Sequence, residues 1–131
     1  MIGLDTNVLV RYLAQDDAIQ SPQASALIES LTVDSPGSIS LVSVVELVWV
    51  LDGCYATRKL ELCEILESLL RTKELVVAQA EVVWKALRKF RGNNADFADC
   101  LIVYLGDAAG CEDTLTFDKA AVKGCGMRLL G

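Results

Sequence analysis

Four acids in this 131-residue chain stand where a carboxylate could take part in chemistry. Asp5 closes the apolar run Ile2–Leu4 and opens Asp5-Thr6-Asn7. Glu46 lies in Ser43-Val-Val-Glu, Asp99 in Asp96-Phe-Ala-Asp-Cys-Leu-Ile, and Asp118 in Leu115-Thr-Phe-Asp. Each falls at the expected start of a helix, and three directly follow an expected strand, the edge of an α/β sheet where ligands bind. Taken singly, each has a plain structural use. Ser43 and Glu46 have the spacing of a capping box, Asp5, Thr6, Asp96, Thr116 and Asp118 can cap helices, and Asp99 can complement a helix dipole. Taken together, the caps explain less. Glu46 sits among Val44, Val45, Leu47, Val48 and Trp49, and Asp99 among Phe97, Ala98, Leu101 and Ile102. Acids in such settings are rarely buried without a partner. Neither has a lysine or arginine three or four positions away, and none stands within four residues of Asp5.

If the four reach one sheet edge, their mutual repulsion requires a cation. An all-oxygen set of Asp and Glu suits Mg²⁺ or Mn²⁺, with waters completing the shell. Such a site can activate a water and stabilise a phosphodiester transition state. Thr6, Asn7 and Thr116 lie beside these acids and could position a water or orient a carboxylate. Asp96, one turn before Asp99 and on the same helical face, is an extra acid that could support a ligating carboxylate from behind or serve as an alternative ligand.

The elements that must position these residues alternate along the chain. Strands are expected at Ile2–Leu4, Ile39–Val42, Leu75–Val77, Asp113–Thr116 and Arg128–Leu130. Val8, Leu9, Tyr12 and Leu13 have helical spacing. Ser21-Pro22 predicts a cap and a first helical residue, with Ala24, Leu27, Ile28 and Leu31 as the apolar stripe. Further helices are expected from Ser43 to about Cys54, from Lys59 to Thr72 with Leu60, Cys63, Leu66, Leu69 and Leu70 inward, and from Gln79 to Phe90. Another runs from near Asp96 to Gly106 or Gly110, and a last helical turn spans Asp118–Val122. Asp34-Ser-Pro-Gly-Ser38 and Gly92-Asn-Asn94 break the pattern. Short strands alternating with amphipathic helices predict an α/β fold: a three-layer α/β/α sandwich around a parallel sheet of four or five short strands, one domain over 1–131.

Composition narrows the chemistry further. The chain has no histidine, which excludes a Ser-His-Asp triad, a Cys-His pair and a histidine-ligated metal. Five cysteines without a C-x-x-C pair favour free, small apolar side chains over a disulfide framework or zinc site. A net charge of −6 argues against a general nucleic-acid coat, but less against a nuclease whose cations sit between carboxylates and phosphates. A hydrophobic fraction of 53% predicts heavily buried strands and some exposed apolar surface. The most apolar stretch, Leu41–Leu51, is too short to span a bilayer, and the first residues lack the basic region of a signal peptide, so the chain reads as cytoplasmic.

Asp5-Thr-Asn-Val-Leu9, Val44-x-Glu-Leu-x-Trp-Val-Leu51, Asp96-Phe-Ala-Asp-x-Leu-Ile102 and Thr116-Phe-Asp-Lys119 together resemble the PIN domain. More narrowly, they are similar to the VapC-type ribonuclease toxins of bacterial toxin–antitoxin pairs. The resemblance covers nearly the whole chain, with its motifs in the right order. It implies a Mg²⁺- or Mn²⁺-dependent endoribonuclease, often acting on structured RNA such as tRNA, with a cognate antitoxin and usually a homodimer. It also assigns the acidic quartet to Asp5, Glu46, Asp99 and Asp118.

Among the basic residues, Lys85, Arg88, Lys89 and Arg91 cluster at a helix end, either as a dipole complement or as a local phosphate-holding patch. Arg11, about a turn and a half after Asp5, and Lys119, next to Asp118, are expected nearer the site, so Arg11, Lys85, Arg88 and Lys119 are the candidate RNA phosphate contacts. Trp49 and Trp84 read as core or interface residues rather than stacking platforms. The apolar excess fits a dimer interface or an antitoxin groove. Competing readings are a non-catalytic PIN-like binding module whose acids are caps, and a PIN nuclease outside any toxin–antitoxin pair. A receiver domain is disfavoured because its acids would cluster after the first strand, with a lysine after a late one.

Overall fold

In the computed structural model, which describes residues 1–131, the short apolar runs form strands and the longer periodic stretches form helices. Residues Met1–Ala78 make one unit and Gln79–Gly131 a second. All five strands are short and parallel, and seven helices accompany them, an α/β fold. The strands pair as a sheet of three in the first unit and a ladder of two in the second, rather than as one hydrogen-bonded sheet. No helix is long and apolar enough to cross a membrane.

In the first unit the order is β1 (Ile2–Gly3), α1 (Thr6–Ala14), α2 (Gln20–Glu29), β2 (Gly37–Ile39), α3 (Leu41–Tyr55), α4 (Lys59–Arg71) and β3 (Leu75–Val77). β2 lies between β1 and β3, with Gly3 opposite Ser38 and Ser38 opposite Val76. The amide of Leu4 still reaches the Ser38 carbonyl at 2.9 Å. Parallel pairing in this register brings Asp5, just after β1, and Ser40, just after β2, to the same edge, where α1 and α3 both begin. Close approach is built in at Gly37: a Cβ there would stand 2.8 Å from Leu4 Cδ1 and 2.9 Å from Leu31 Cδ1. Leu9, Ile39, Val44, Leu47 and Leu66 are almost wholly buried, and burying side chains of this kind stabilises a fold by roughly 1.5–3 kcal/mol each.

Several expected boundaries are corrected. α2 starts at Gln20, not after a Ser21 cap. Asp17 Oδ1 accepts the amides of Ile19 and Gln20 at 2.9 and 2.7 Å, while buried Ser21 accepts the Asp17 amide at 3.3 Å. Pro22 then sits in the first turn, where its missing N–H has no intrahelical partner to lose. β2 ends at Ile39, so Val42 belongs to α3. α3 is capped by Ser40, whose Oγ accepts the Ser43 amide at 3.1 Å. In α4 the buried stripe is Leu62, Cys63, Leu66 and Leu69, and Leu60 is 69% exposed, because two residues carry it about 200° around the helix from Leu62. Trp49 is 75% exposed and no part of a core.

The second unit runs α5 (Ala80–Gly92), α6 (Phe97–Ala108), β4 (Leu115–Thr116), α7 (Lys119–Cys125) and β5 (Arg128–Leu129). α5 and α6 meet through Phe90 and Phe97, edge to face with ring centres 5.7 Å apart. Phe97, Cys100 and Leu101 form the buried stripe of α6. α7 packs its Cys125 thiol 3.6 Å from that of Cys100. Burial pushes the Cys100 thiol up to about 12, so it serves as an apolar core atom, and all five cysteines are free. β4, α7 and β5 form a short βαβ unit, with Thr116 opposite Leu129.

Candidate active site

In the first unit, Asp5 caps α1 in extended conformation (φ −77°, ψ 157°), its Oδ1 accepting the Thr6 amide at 2.9 Å. Thr6 is buried, and its hydroxyl donates to Glu46 Oε1 at 2.8 Å. This bond spans 40 residues of sequence and ties the start of α1 to α3. Glu46 is free to make it because Ser40, not Ser43, caps α3. The expected Ser43–Glu46 capping box does not form, and Glu46 lies in the second turn of α3, on an exposed face. Ser40 is the residue that sequence reading missed here; the signal was a hydroxyl three positions before Ser43, directly after the strand. Asn7 is exposed in the first turn of α1. No ion pair reaches Asp5 or Glu46.

In the second unit, Asp96 caps α6 by accepting the Ala98 amide at 2.8 Å, and Asp118 caps α7 by accepting the Ala120 amide at 2.8 Å. Thr116 Oγ1 accepts the Asp118 amide at 3.0 Å and fixes the turn that presents that carboxylate. Asp99 follows one turn into α6, half-buried beside the Phe97–Cys100–Leu101 stripe. Its pKa is raised, first by burial and then by the negative charges of Asp96 and Asp118. No hydrogen bond or ion pair offsets that repulsion.

Capping is therefore realised for Asp5, Asp96 and Asp118, but it occupies one oxygen of each. Asp5 Oδ2, Glu46 Oε2, Asp118 Oδ2 and both oxygens of Asp99 carry no hydrogen bond. A donor set made only of carboxylate oxygens fits a hard divalent cation such as Mg²⁺ or Mn²⁺. Within neither unit do three or more acids gather closely enough to form a ready-made cage. What each unit supplies is open carboxylates at the caps or in the first two turns of its helices.

The candidate phosphate contacts differ in their freedom. Arg11 is held by Gln20 Oε1 (2.9 Å), Asp16 Oδ1 (3.1 Å) and the Tyr55 hydroxyl (3.3 Å), and that hydroxyl donates to Asp16 Oδ2 at 2.7 Å. Arg11 is thus matched by Asp16 rather than by Asp5. Tyr55 and Asp16 lie 39 residues apart, so no local pattern announces them. Lys85 and Arg88 are exposed on α5, and Lys119 is exposed as the first residue of α7.

A comparison with curated proteins finds no match. Residues 2–124 match the family model for the PIN domain, a span that takes in every acid described above. The chain belongs to the PIN domain family, whose members are generally nucleases.

Proposed function

We propose that the chain is a Mg²⁺- or Mn²⁺-dependent endoribonuclease, working as a single PIN-like domain over 1–131 and as the toxin of a type II toxin–antitoxin pair in the cytoplasm. The observation that carries this reading is Asp99: a half-buried carboxyl with no donor, raised by burial and by Asp96 and Asp118, in a member of a nuclease family. Asp5, Glu46, Asp99 and Asp118 would hold the ion, directly or through waters. When bound, it supplies Lewis-acid stabilisation of charge on the scissile phosphate and makes water a better nucleophile.

The chain's own residues prepare that chemistry. Thr6 fixes one oxygen of Glu46, so the other stays directed and open. Thr116 holds the turn before Asp118, and the caps at Asp5 and Asp118 limit each carboxylate to one orientation. Arg11, Lys85, Arg88 and Lys119 contact RNA phosphates and offset, locally, the repulsion from a chain of charge −6. Val42 and Trp49, exposed on α3, favour a homodimer and a cognate antitoxin as the partners that cover apolar surface. The four motifs around Asp5, Glu46, Asp99 and Asp118 support the toxin assignment, and tRNA is a candidate substrate.

A second reading has an observation of its own. Asp5, Asp96 and Asp118 all cap helices, which favours a non-catalytic PIN-like protein-binding module. Incubating purified protein with total RNA and with tRNA, in Mg²⁺, Mn²⁺ or EDTA and beside folded Asp99→Asn, separates the two. Metal-dependent cutting lost in the variant supports the nuclease. No cutting, together with no Mn²⁺-dependent rise in melting temperature, supports the module, since a ligand of the native state must stabilise it. Cutting by a protein whose gene has no antitoxin partner would leave a PIN nuclease outside a toxin–antitoxin pair.

A further inference from the structure

Between α1 and α2, wholly within the first unit, runs a groove of about 310 Å³, the size of a small-ligand site. Its floor includes Val8 and Leu27, and its rim carries Asn7, Arg11, Gln20 and Gln23. The polar rim is largely uncommitted. The carboxamides of Asn7 and Gln23 make no hydrogen bond, and Gln20 uses only its Oε1, toward Arg11. Arg11 spends Nε and Nη1 on Gln20, Asp16 and Tyr55, leaving Nη2 without a partner.

We infer that this groove is a subsite for one unpaired nucleobase of the RNA, next to the phosphate handled at Asp5. The inference rests on the ribonuclease reading and extends it to substrate recognition. Three features favour a base. Carboxamides offer donors and an acceptor in one plane, the pattern that meets the edge of a base. An apolar floor accepts the face of a ring, and single-stranded RNA is read by splaying bases into such places. Arg11, kept in one orientation by Asp16 and Tyr55, holds a free guanidinium edge for an adjoining phosphate. Asn7 and Arg11 lie four residues apart on one face of α1, and Asp5 to Arg11 is about 9 Å along the helix axis. Asn7, two residues after the first of the candidate acids, is part of the groove's lining.

The test is a walk of single abasic sites through a mixed-sequence, single-stranded RNA that the protein cuts. Binding is measured by fluorescence anisotropy to full-length Asp99→Asn protein, so the strand stays intact. One abasic position flanking the cut should weaken binding about tenfold, the loss of one well-made polar contact. Adding Gln23→Ala should remove that sensitivity, leaving intact and abasic RNA bound alike. Gln23 is exposed and unpartnered, so this variant keeps the fold. Equal affinity for every abasic RNA, or undiminished sensitivity in Gln23→Ala, overturns the subsite while cutting by the parent protein leaves the nuclease standing. No cutting with Mg²⁺ or Mn²⁺ overturns both. A Gln23→Ala protein with unchanged RNA affinity but weakened binding to a protein partner would assign the groove to that partner instead.

Discussion

The acids of the two units are held in opposite ways. In the first, Asp5 and Glu46 each receive a hydrogen bond, from the Thr6 amide and the Thr6 hydroxyl, so one residue supplies both donors. In the second, Asp96 and Asp118 are satisfied by caps, while Asp99 between them has no donor and a raised pKa. The first arrangement orients carboxylates at little electrostatic cost. The second keeps a carboxylate in an environment that disfavours its charge and that only a cation or a proton relieves. Perturbed acids of this kind gather at functional sites, and under the nuclease proposal the first unit would set direction while the second would create demand for positive charge.

The largest expected effect falls on the unsatisfied acid. Asp99→Asn should lower metal-dependent RNA cleavage by about 100-fold or more, measured as single-turnover rates with Mn²⁺. A loss under threefold would remove Asp99 from the chemistry. Next comes the orienting residue. Thr6→Val keeps the buried volume but leaves Glu46 without its donor, and should cost about tenfold in the same assay. Because Glu46 is exposed, stability should fall by only about 1 kcal/mol, read from urea midpoints. A Thr6→Val loss as deep as that of Asp99→Asn would erase the division of labour.

The third test separates caps from ligands. Asp118→Ala should destabilise the fold by about 1 kcal/mol, while Asp118→Asn, which still caps, should cost only a few tenths. Both should lose cleavage alike. If Asp118→Asn stays fully active, the residue is a cap alone.

The smallest effect carries the sign of the electrostatics. Asp99 has a folded pKa above its ordinary value of 3.8. Its favourable contribution is therefore complete below that ordinary value and is lost as pH rises through the folded pKa. In metal-free protein at pH 7, Asp99→Asn should raise the melting temperature by on the order of 1–2 °C, a gain offset in part because the first turn of α6 favours a negative charge. The gain should vanish near pH 3. Mn²⁺ should reverse the order by stabilising the parent protein more than the variant.

Much of this arrangement was legible in the chain. The apolar run before Asp5 stops so abruptly that strand, cap and helix follow from it, and the sites of Asp96, Asp99 and Asp118 follow from the same punctuation. What failed shares a physical cause. Ser40 caps α3, and Asp17 accepts the amides of Ile19 and Gln20, both from just outside the periodic stretch, whereas the pattern points at Ser43 and Ser21. Leu60 and Trp49 sit in apolar company, but the face a helix buries is chosen by what packs on it, and both point outward. The Thr6–Glu46 and Tyr55–Asp16 bonds join residues 40 and 39 positions apart, a distance no local spacing encodes. The division of the strands into three and two is likewise a matter of pairing, and strands of two or three residues carry little register information of their own.

The shortness of β1 has a further consequence. It is a two-residue strand on the edge of its sheet. Ile2 donates to Pro36 at 3.0 Å and Leu4 to Ser38 at 2.9 Å, and few other bonds hold the strand. Edge segments with so few bonds open by fraying at a small fraction of the global unfolding free energy. Asp5 is positioned by that strand, so heat should silence the protein reversibly before it melts it: cleavage would fade at temperatures where the helices are still intact, and return on cooling.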